Sequence, residues 1–439
     1  MKRHALKVIG IAAAAALALT ACSGGGGSTS NPKKTAGGVE TGPVTITMTW
    51  WGNDDRASRY KQAIALFNKK YPDITVQVSF ADFSTYWTTR ATEAAGRALP
   101  DVMQTDMAYL REYSSNGHLL DMTPYIGSTI DLSGFDQSLV KAGNLDGKQI
   151  AIPTSTNTLA LFYNPDLLKQ VGVDPPAKDY TWADFNTFLA KVSDAGQKTA
   201  GGQQIYGGTD YATTFWFFLQ WLVQEGKTPF KDDGSLGFKE QDMKDFLSLT
   251  ADLRKAKQDY PFARTTQVLP KTGFSMNEAT AEISWDNFLA GYVADSGNPN
   301  IAMMPVPTGK DGKKSMFFKP SMLLSAGANT KHPQAAAALI NFLLTEPEVG
   351  KIFGTSKGVP GAQAQRDAMQ LKPGSVDASV VAYEKAVKDQ VTAQVPIPVK
   401  GFGSIEADYK RLGEDLSYGK ITIDAFVKEW FAGAAISTQ

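Results

Sequence analysis

The sequence is poor in the residues that do chemistry unaided. Its 439 residues include one cysteine, Cys22, and three histidines, His4, His118 and His332. A lone cysteine excludes a disulfide within the chain. With so few histidines and no second cysteine, a zinc site of the usual His/Cys kind lacks ligands. No G-x-x-x-x-G-K-[ST] loop is present, and no G-x-G-x-x-G follows a strand-like run. Gly354-Thr355-Ser356-Lys357-Gly358 fits G-x-S-x-G, but a hydrolase of that kind needs a histidine after its serine, and all three histidines precede it. Net charge is lacking too, with 44 basic against 44 acidic residues. Setting aside Lys2, Arg3 and Lys7 leaves 41 basic against 44 acidic, a formal charge of −3. Neither nucleic acid nor an anionic membrane surface is implied as a partner.

What is present begins with a leader. Lys2, Arg3 and Lys7 precede an uncharged apolar run at 8–19, well short of the ~20 residues that span a bilayer. The stretch Leu19-Thr20-Ala21-Cys22 resembles the lipobox of bacterial lipoproteins. That resemblance implies a signal peptide over 1–21, removed before Cys22, and lipid on Cys22 as a membrane anchor. Residues 22–43 are rich in Gly and Ser and almost free of apolar side chains, so they read as a flexible tether, about 25 Å in root-mean-square span for roughly 20 residues. Roughly 395 residues follow, more than one core usually supports, so two lobes are expected.

The body alternates between two periodicities. Residues 44–49 alternate as a strand. Tyr60, Ile64, Phe67 and Tyr71 then fall on one helical face, which Pro72 ends. Ile74, Val76, Val78 and Phe80 alternate again, completing strand–helix–strand and pointing to an α/β sheet. Helices are expected from 84 to 95 and 107 to 115. The stretch 149–163 is extended. Thr181-Trp182-Ala183-Asp184 is a capping-box-like helix start. The run 214–225 is too short to span a bilayer and reads as a buried helix. Later helices fit 239–257, 333–345, 404–417 and 422–433.

Four segments carry a family resemblance. They are Pro100-Asp101-Val102-Met103 with Tyr113 and Gly117-His118-Leu119-Leu120; Gly147-Lys148-Gln149-Ile150-Ala151-Ile152-Pro153 with Leu161-Phe162-Tyr163-Asn164; Pro175-Pro176 with Thr181-Trp182-Ala183-Asp184-Phe185; and Met304-Pro305-Val306-Pro307 through Gly358-Val359-Pro360. Together, and in this order, they resemble the extracellular solute-binding proteins of ABC sugar importers, the family of the maltodextrin-binding protein. Lys319-Pro320 departs from it, standing where the family often has a Gly-Gly pair.

The resemblance implies an α/β, two-lobed periplasmic-binding-protein fold of the type II, Venus-flytrap kind. Its expected division is 44–151 plus 266–318 for the N-terminal lobe and 152–265 plus 319–439 for the C-terminal lobe. Crossings are expected near Ala151–Pro153, Phe262–Thr266 and Phe317–Ser321. It further implies a monomer outside the cytoplasm that captures a di- or oligosaccharide between its lobes and delivers it to ABC permease subunits, with no cofactor, no metal and no catalysis.

A pyranose offers apolar C–H faces and a ring of hydroxyls. Aromatic planes suit the first; carboxylates and amides suit the second. The candidates sit at loop ends after strands, where α/β folds place ligands. Trp51 and Asp54 follow the first strand, with helix N-capping an equal alternative for Asp54. Trp87 lies early in the second helix, where core packing competes. Asp106 ends a short strand, Asn157 and Ser321 fall on crossings, and Trp216 lies in the aromatic run. Trp285 and Asp286 follow a segment resembling the family's sugar-facing stretch, and Phe402 is a late platform. Two rivals remain open at this level: a binding lipoprotein for a non-sugar solute, and an exported carbohydrate-active enzyme.

Overall fold

The computed structural model describes residues 40, 42–231 and 233–437. The stretch expected to be a signal peptide, Cys22 and nearly all of the expected tether lie outside the described residues. Among those described, no helix is long and apolar enough to cross a membrane.

The first lobe is built on a five-stranded sheet in the order Ile74–Ala81, Val44–Trp51, Val102–Thr105, Leu323–Ala326, Ile152–Pro153. The first three strands are parallel, and Leu323–Ala326 runs antiparallel to both of its neighbours. Helix Asp54–Lys70 turns Tyr60, Ile64 and Phe67 inward, as their spacing predicts. They pack with Trp50 and with Leu339 and Phe342 of helix Pro333–Thr345. The helices that follow the three parallel strands start on short polar side chains: Asn53, Asp82 and Asp106 accept the backbone N–H groups of Arg56, Thr85 and Ala108. Such caps satisfy amides that the helix itself leaves unpaired.

The second lobe surrounds a three-stranded antiparallel sheet, Ala302–Met304, Leu159–Tyr163 and Ala281–Trp285. Thr181 and Asp184 form the expected capping box at the start of helix Trp182–Asp194. Helix Phe215–Gln224 is buried along nearly all of its length. Its two polar members are satisfied inside. Gln220 donates to Lys314 O at 3.1 Å, and Gln224 donates to Pro307 O at 2.8 Å. The region 239–257, read as one helix, divides into Glu240–Ser248 and Ala251–Ala256. At the break, Thr250 turns its hydroxyl to Asp210 at 2.7 Å, and Asp210 also holds Arg254 at 2.6 Å.

A small sheet joins the two lobes: Lys319–Pro320, Ser155–Asn157 and Val359–Pro360, antiparallel throughout. Two expected crossings lie at or beside it, Ala151–Pro153 just before Ser155 and Phe317–Ser321 directly on it. The third does not. Phe262–Thr266 forms part of helix Phe262–Val268 within the second lobe. Val359–Pro360 joins the small sheet, but Ala362 and helix Gln363–Ala368 after it still pack with the first lobe, so the third crossing lies between Ala368 and helix Val376–Val387. The lobe boundaries change with it. Residues 281–304 add strands to the second lobe's sheet, and 323–353 belong to the first lobe, because Leu323–Ala326 is bonded between Val102–Thr105 and Ile152–Pro153. The alternation that marks a strand carries no record of its partner, so period alone does not assign a strand to a lobe.

The lobes also meet directly. Arg111, on helix Met107–Ser115, donates to Pro398 O at 3.2 Å, and Gln394 donates to Ser138 O at 3.0 Å.

Candidate functional site

Between the lobes lies a cavity of about 680 Å³. The first lobe supplies Phe83, Asp106 and Tyr109; the second supplies Trp216, Trp285, Phe402, Glu406 and Lys410; Lys319 enters from the crossing strand. Four residues picked out by sequence therefore converge: Asp106, Trp216, Trp285 and Phe402.

The second lobe provides an aromatic wall. The Trp216 and Trp285 rings lie 5.6 Å apart at 75°. Phe402 is fully buried and backs Trp216, with centroids 5.5 Å apart. The Trp216 indole N–H is committed to Glu406, and burial followed by the nearby Asp106 charge raises the Glu406 pKa above the usual carboxylate range. Asp106 approaches from the first lobe, held at the start of helix Met107–Ser115 by the Ala108 N–H at 2.9 Å. Tyr109, one turn further on, faces the same space. The cavity thus combines aromatic planes with carboxylates from both lobes and two ammonium groups.

The other six sequence candidates stand elsewhere. Trp51 and Trp87 are buried behind the cavity wall rather than in it, at 8% and 6% exposure. Trp51 packs edge-on to Phe83 at 5.4 Å, and Trp87 stacks on Tyr109 at 3.8 Å. They support the two rings that do line the space. Asp54 lies exposed in the first turn of its helix, whose cap is Asn53, and borders a separate surface hollow with Phe80. Asn157 and Ser321 belong to the joining segments. Asn157 pairs in register with Lys319. The hydroxyls of Ser321 and Ser155 both donate to Lys357 O, tying two joining segments to the residues that lead into Val359–Pro360. Asp286 is wholly buried, accepts the Thr158 N–H at 3.2 Å and faces Glu384.

Phe83, Tyr109, Glu406 and Lys410 were not singled out by sequence, and Lys319 stood out only as a departure from the family pattern. Two of them carried a usable signal. Glu406 and Lys410 stand four and eight residues after Phe402, on one face of helix Phe402–Ser417. Tyr109 follows Asp106 by three residues across a helix start. Phe83 carried no signal beyond being aromatic.

A second hollow of about 710 Å³ lies on the second lobe, bordered by Asn164, Asp166, Arg264, Asn277 and Glu278. It has no aromatic face, and Arg264 and Glu278 are bound to each other at 2.7 Å. Among the described residues, no group of acidic, histidine or cysteine side chains is arranged to hold a metal ion.

Known proteins share both the sequence pattern and the fold. Over 202 residues the chain is 26% identical to the arabinooligosaccharide-binding protein of Bacillus subtilis, a match covering 45% of this chain and 44% of that one. The chain thus spans under half the length of that relative. A family 1 extracellular solute-binding protein from Alicyclobacillus acidocaldarius superposes with a TM-score of 0.69 at 25% identity, over 91% of this chain and 100% of that one. An ABC substrate-binding protein from Listeria monocytogenes, solved in complex with cycloalternan, superposes with a TM-score of 0.73 at 21% identity, over 88% and 97%. The family model for the bacterial extracellular solute-binding proteins matches residues 51–349. The chain belongs to the bacterial extracellular solute-binding protein family.

Proposed function

We propose that this protein is the extracytoplasmic binding component of an ABC sugar importer, and that it captures a di- or oligosaccharide in the cavity between its lobes. The observation that carries the reading is the pairing of the two indoles, Trp216 and Trp285, with carboxylates presented from opposite lobes, Asp106 and Glu406. Indole faces suit the C–H faces of a pyranose, and the carboxylates suit its hydroxyls. Family membership supports a binding role outside the cytoplasm, and the relative named for arabino-oligosaccharides supports a saccharide ligand.

In this reading the ligand bridges the lobes. A bound sugar favours the closed arrangement only through contacts it makes there and not in the open one, and Asp106 with Glu406 would supply them. The closed body is then what the permease recognises. The lipobox-like Leu19-Thr20-Ala21-Cys22 and the tether after it would hold a monomeric body near its transporter.

A thermal-shift screen tests the ligand class. Malto- and arabino-oligosaccharides, digalacturonate, spermidine and short peptides are offered in turn. A ligand at about 100 times its dissociation constant stabilises the folded state by roughly 2.7 kcal/mol. A shift with a saccharide supports the reading. No shift with any saccharide, or turnover of a glycoside, refutes it.

A further inference from the structure

Lys319 occupies an unusual place for a cation. Its backbone lies on the crossing strand, paired in register with Asn157. Its Nζ stands 5.2 Å from the Trp216 ring centroid and 5.4 Å from that of Trp285. With the two rings at 75° to one another, the ammonium fills the angle between them. Both distances fall within the range of cation–π attraction. The Glu406 charge draws the ammonium from one side, and Pro320 O accepts from it at 3.3 Å. A sugar ring does not reach this angle of the wall while the ammonium stands there.

We propose that Lys319 is a built-in occupant of the two-indole platform, displaced when a ligand stacks there, and so a determinant of which ligands the cleft accepts. The saccharide half of this statement rests on the function proposed above; the occupancy itself does not. The site already holds its own cation near Glu406, so a neutral saccharide meets an occupied platform, and a cationic solute meets like-charge repulsion as well. Lys319 consequently lowers affinity, opposite in sign to a lysine that donates to the ligand.

Two readouts on the full chain test this. The first needs no ligand: acrylamide quenching of indole fluorescence in the free protein. Lys319→Ala uncovers Trp216 and Trp285, so quenching rises, and the rise disappears when both tryptophans are changed to Phe. Lys319→Ser serves as a second variant should the alanine form fold poorly. The second readout is calorimetric affinity for maltotriose and arabinotriose. Removing the occupant raises affinity by about two- to thirty-fold, the equivalent of the ~0.5–2 kcal/mol that such a contact is worth. Unchanged or weaker quenching in both variants overturns the occupancy. Weaker saccharide binding in Lys319→Ala overturns the displacement and makes Lys319 a ligand contact. Increased quenching with no binding of either sugar keeps the occupancy and counts against the saccharide reading alone.

Discussion

Asp286 and Glu384 face one another as two buried carboxyl groups beside the strand that joins the lobes. Asp286 accepts the Thr158 N–H at 3.2 Å, and Glu384 accepts the Thr156 hydroxyl at 2.6 Å. Burial raises both pKa values, that of Asp286 well above its usual range and that of Glu384 to about 7, where the Arg366 charge opposes the rise. The pair therefore holds at least one proton at neutral pH, which lets two carboxyls sit together out of water.

A pH dependence of stability follows. A carboxyl whose pKa is raised on folding binds more protons in the folded than in the unfolded state. Its contribution is therefore fully present below the unfolded value and is lost as pH rises through the folded one. Glu282, part-buried and raised to about 7 by desolvation, acts in the same direction. Urea unfolding between pH 5 and pH 7 is expected to lose on the order of 1 kcal/mol per pH unit for each such group titrating. Glu384→Gln flattens part of that slope. Lys357, buried against the Phe353 and Tyr60 rings with its pKa lowered to about 7, acts oppositely and favours the folded state as pH rises from there towards its unfolded value. A profile that is flat from pH 5 to 7 contradicts the buried-pair account.

Asp106 has two separable tasks, capping and ligand contact. Asp106→Ala removes the cap of helix Met107–Ser115, at a cost of about 1 kcal/mol in unfolding free energy, and also weakens saccharide binding. Asp106→Asn keeps a capping side-chain oxygen and loses the charge. Its unfolding midpoint should stay near that of the wild type while its affinity falls. Equal losses of stability in the two variants would show that the charge itself matters to the fold.

The legible and illegible parts divide along a physical line. The helix at Asp54–Lys70, the capping box at Thr181 and the buried helix at Phe215–Gln224 were readable because period, cap and run length are local properties. Strand partnership is not local. Leu323–Ala326 looks like any short apolar strand, and only its bonds to Val102–Thr105 and Ile152–Pro153 place it in the first lobe. The same division governs the site. That Asp106 and Trp285 line the cavity is legible in sequence because each lies at or just before a helix start after a strand. Trp51 and Trp87, candidates by sequence, back the wall rather than line it, since an aromatic that lines a cavity and one that backs it have the same local sequence signature. Glu406 and Lys410 were missed although the spacing from Phe402 places all three on one face.

Gly358 tests the joint between the lobes. Its φ is +94°, and a Cβ there would collide with Thr156 O and Asn157 Oδ1. Gly358→Ala is expected to cost more than the ~1 kcal/mol of a simple left-handed penalty, read as a lower urea midpoint. Gly374, also at positive φ but with open space around it, is the control, and Gly374→Ala should cost clearly less.

Arg111 tests contact between the lobes away from the cavity. Arg111→Ala removes the bond to Pro398 O, and Arg111 does not line the cavity. If the closed arrangement is what binds, affinity falls, by up to about ten-fold for a lost charged hydrogen bond of ~1.5 kcal/mol. Unaltered affinity would mean that this bond does not contribute to closure.

The most direct test of the central claim is isothermal titration of malto- and arabino-oligosaccharides into the wild-type protein, Trp285→Ala and Asp106→Asn. The account predicts saturable binding of at least one saccharide series by the wild type, weakened at least about ten-fold, or ~1.4 kcal/mol, in each variant while both remain folded. Saccharide affinity that is the same in all three proteins, or none in any while a peptide or polyamine binds, would contradict it.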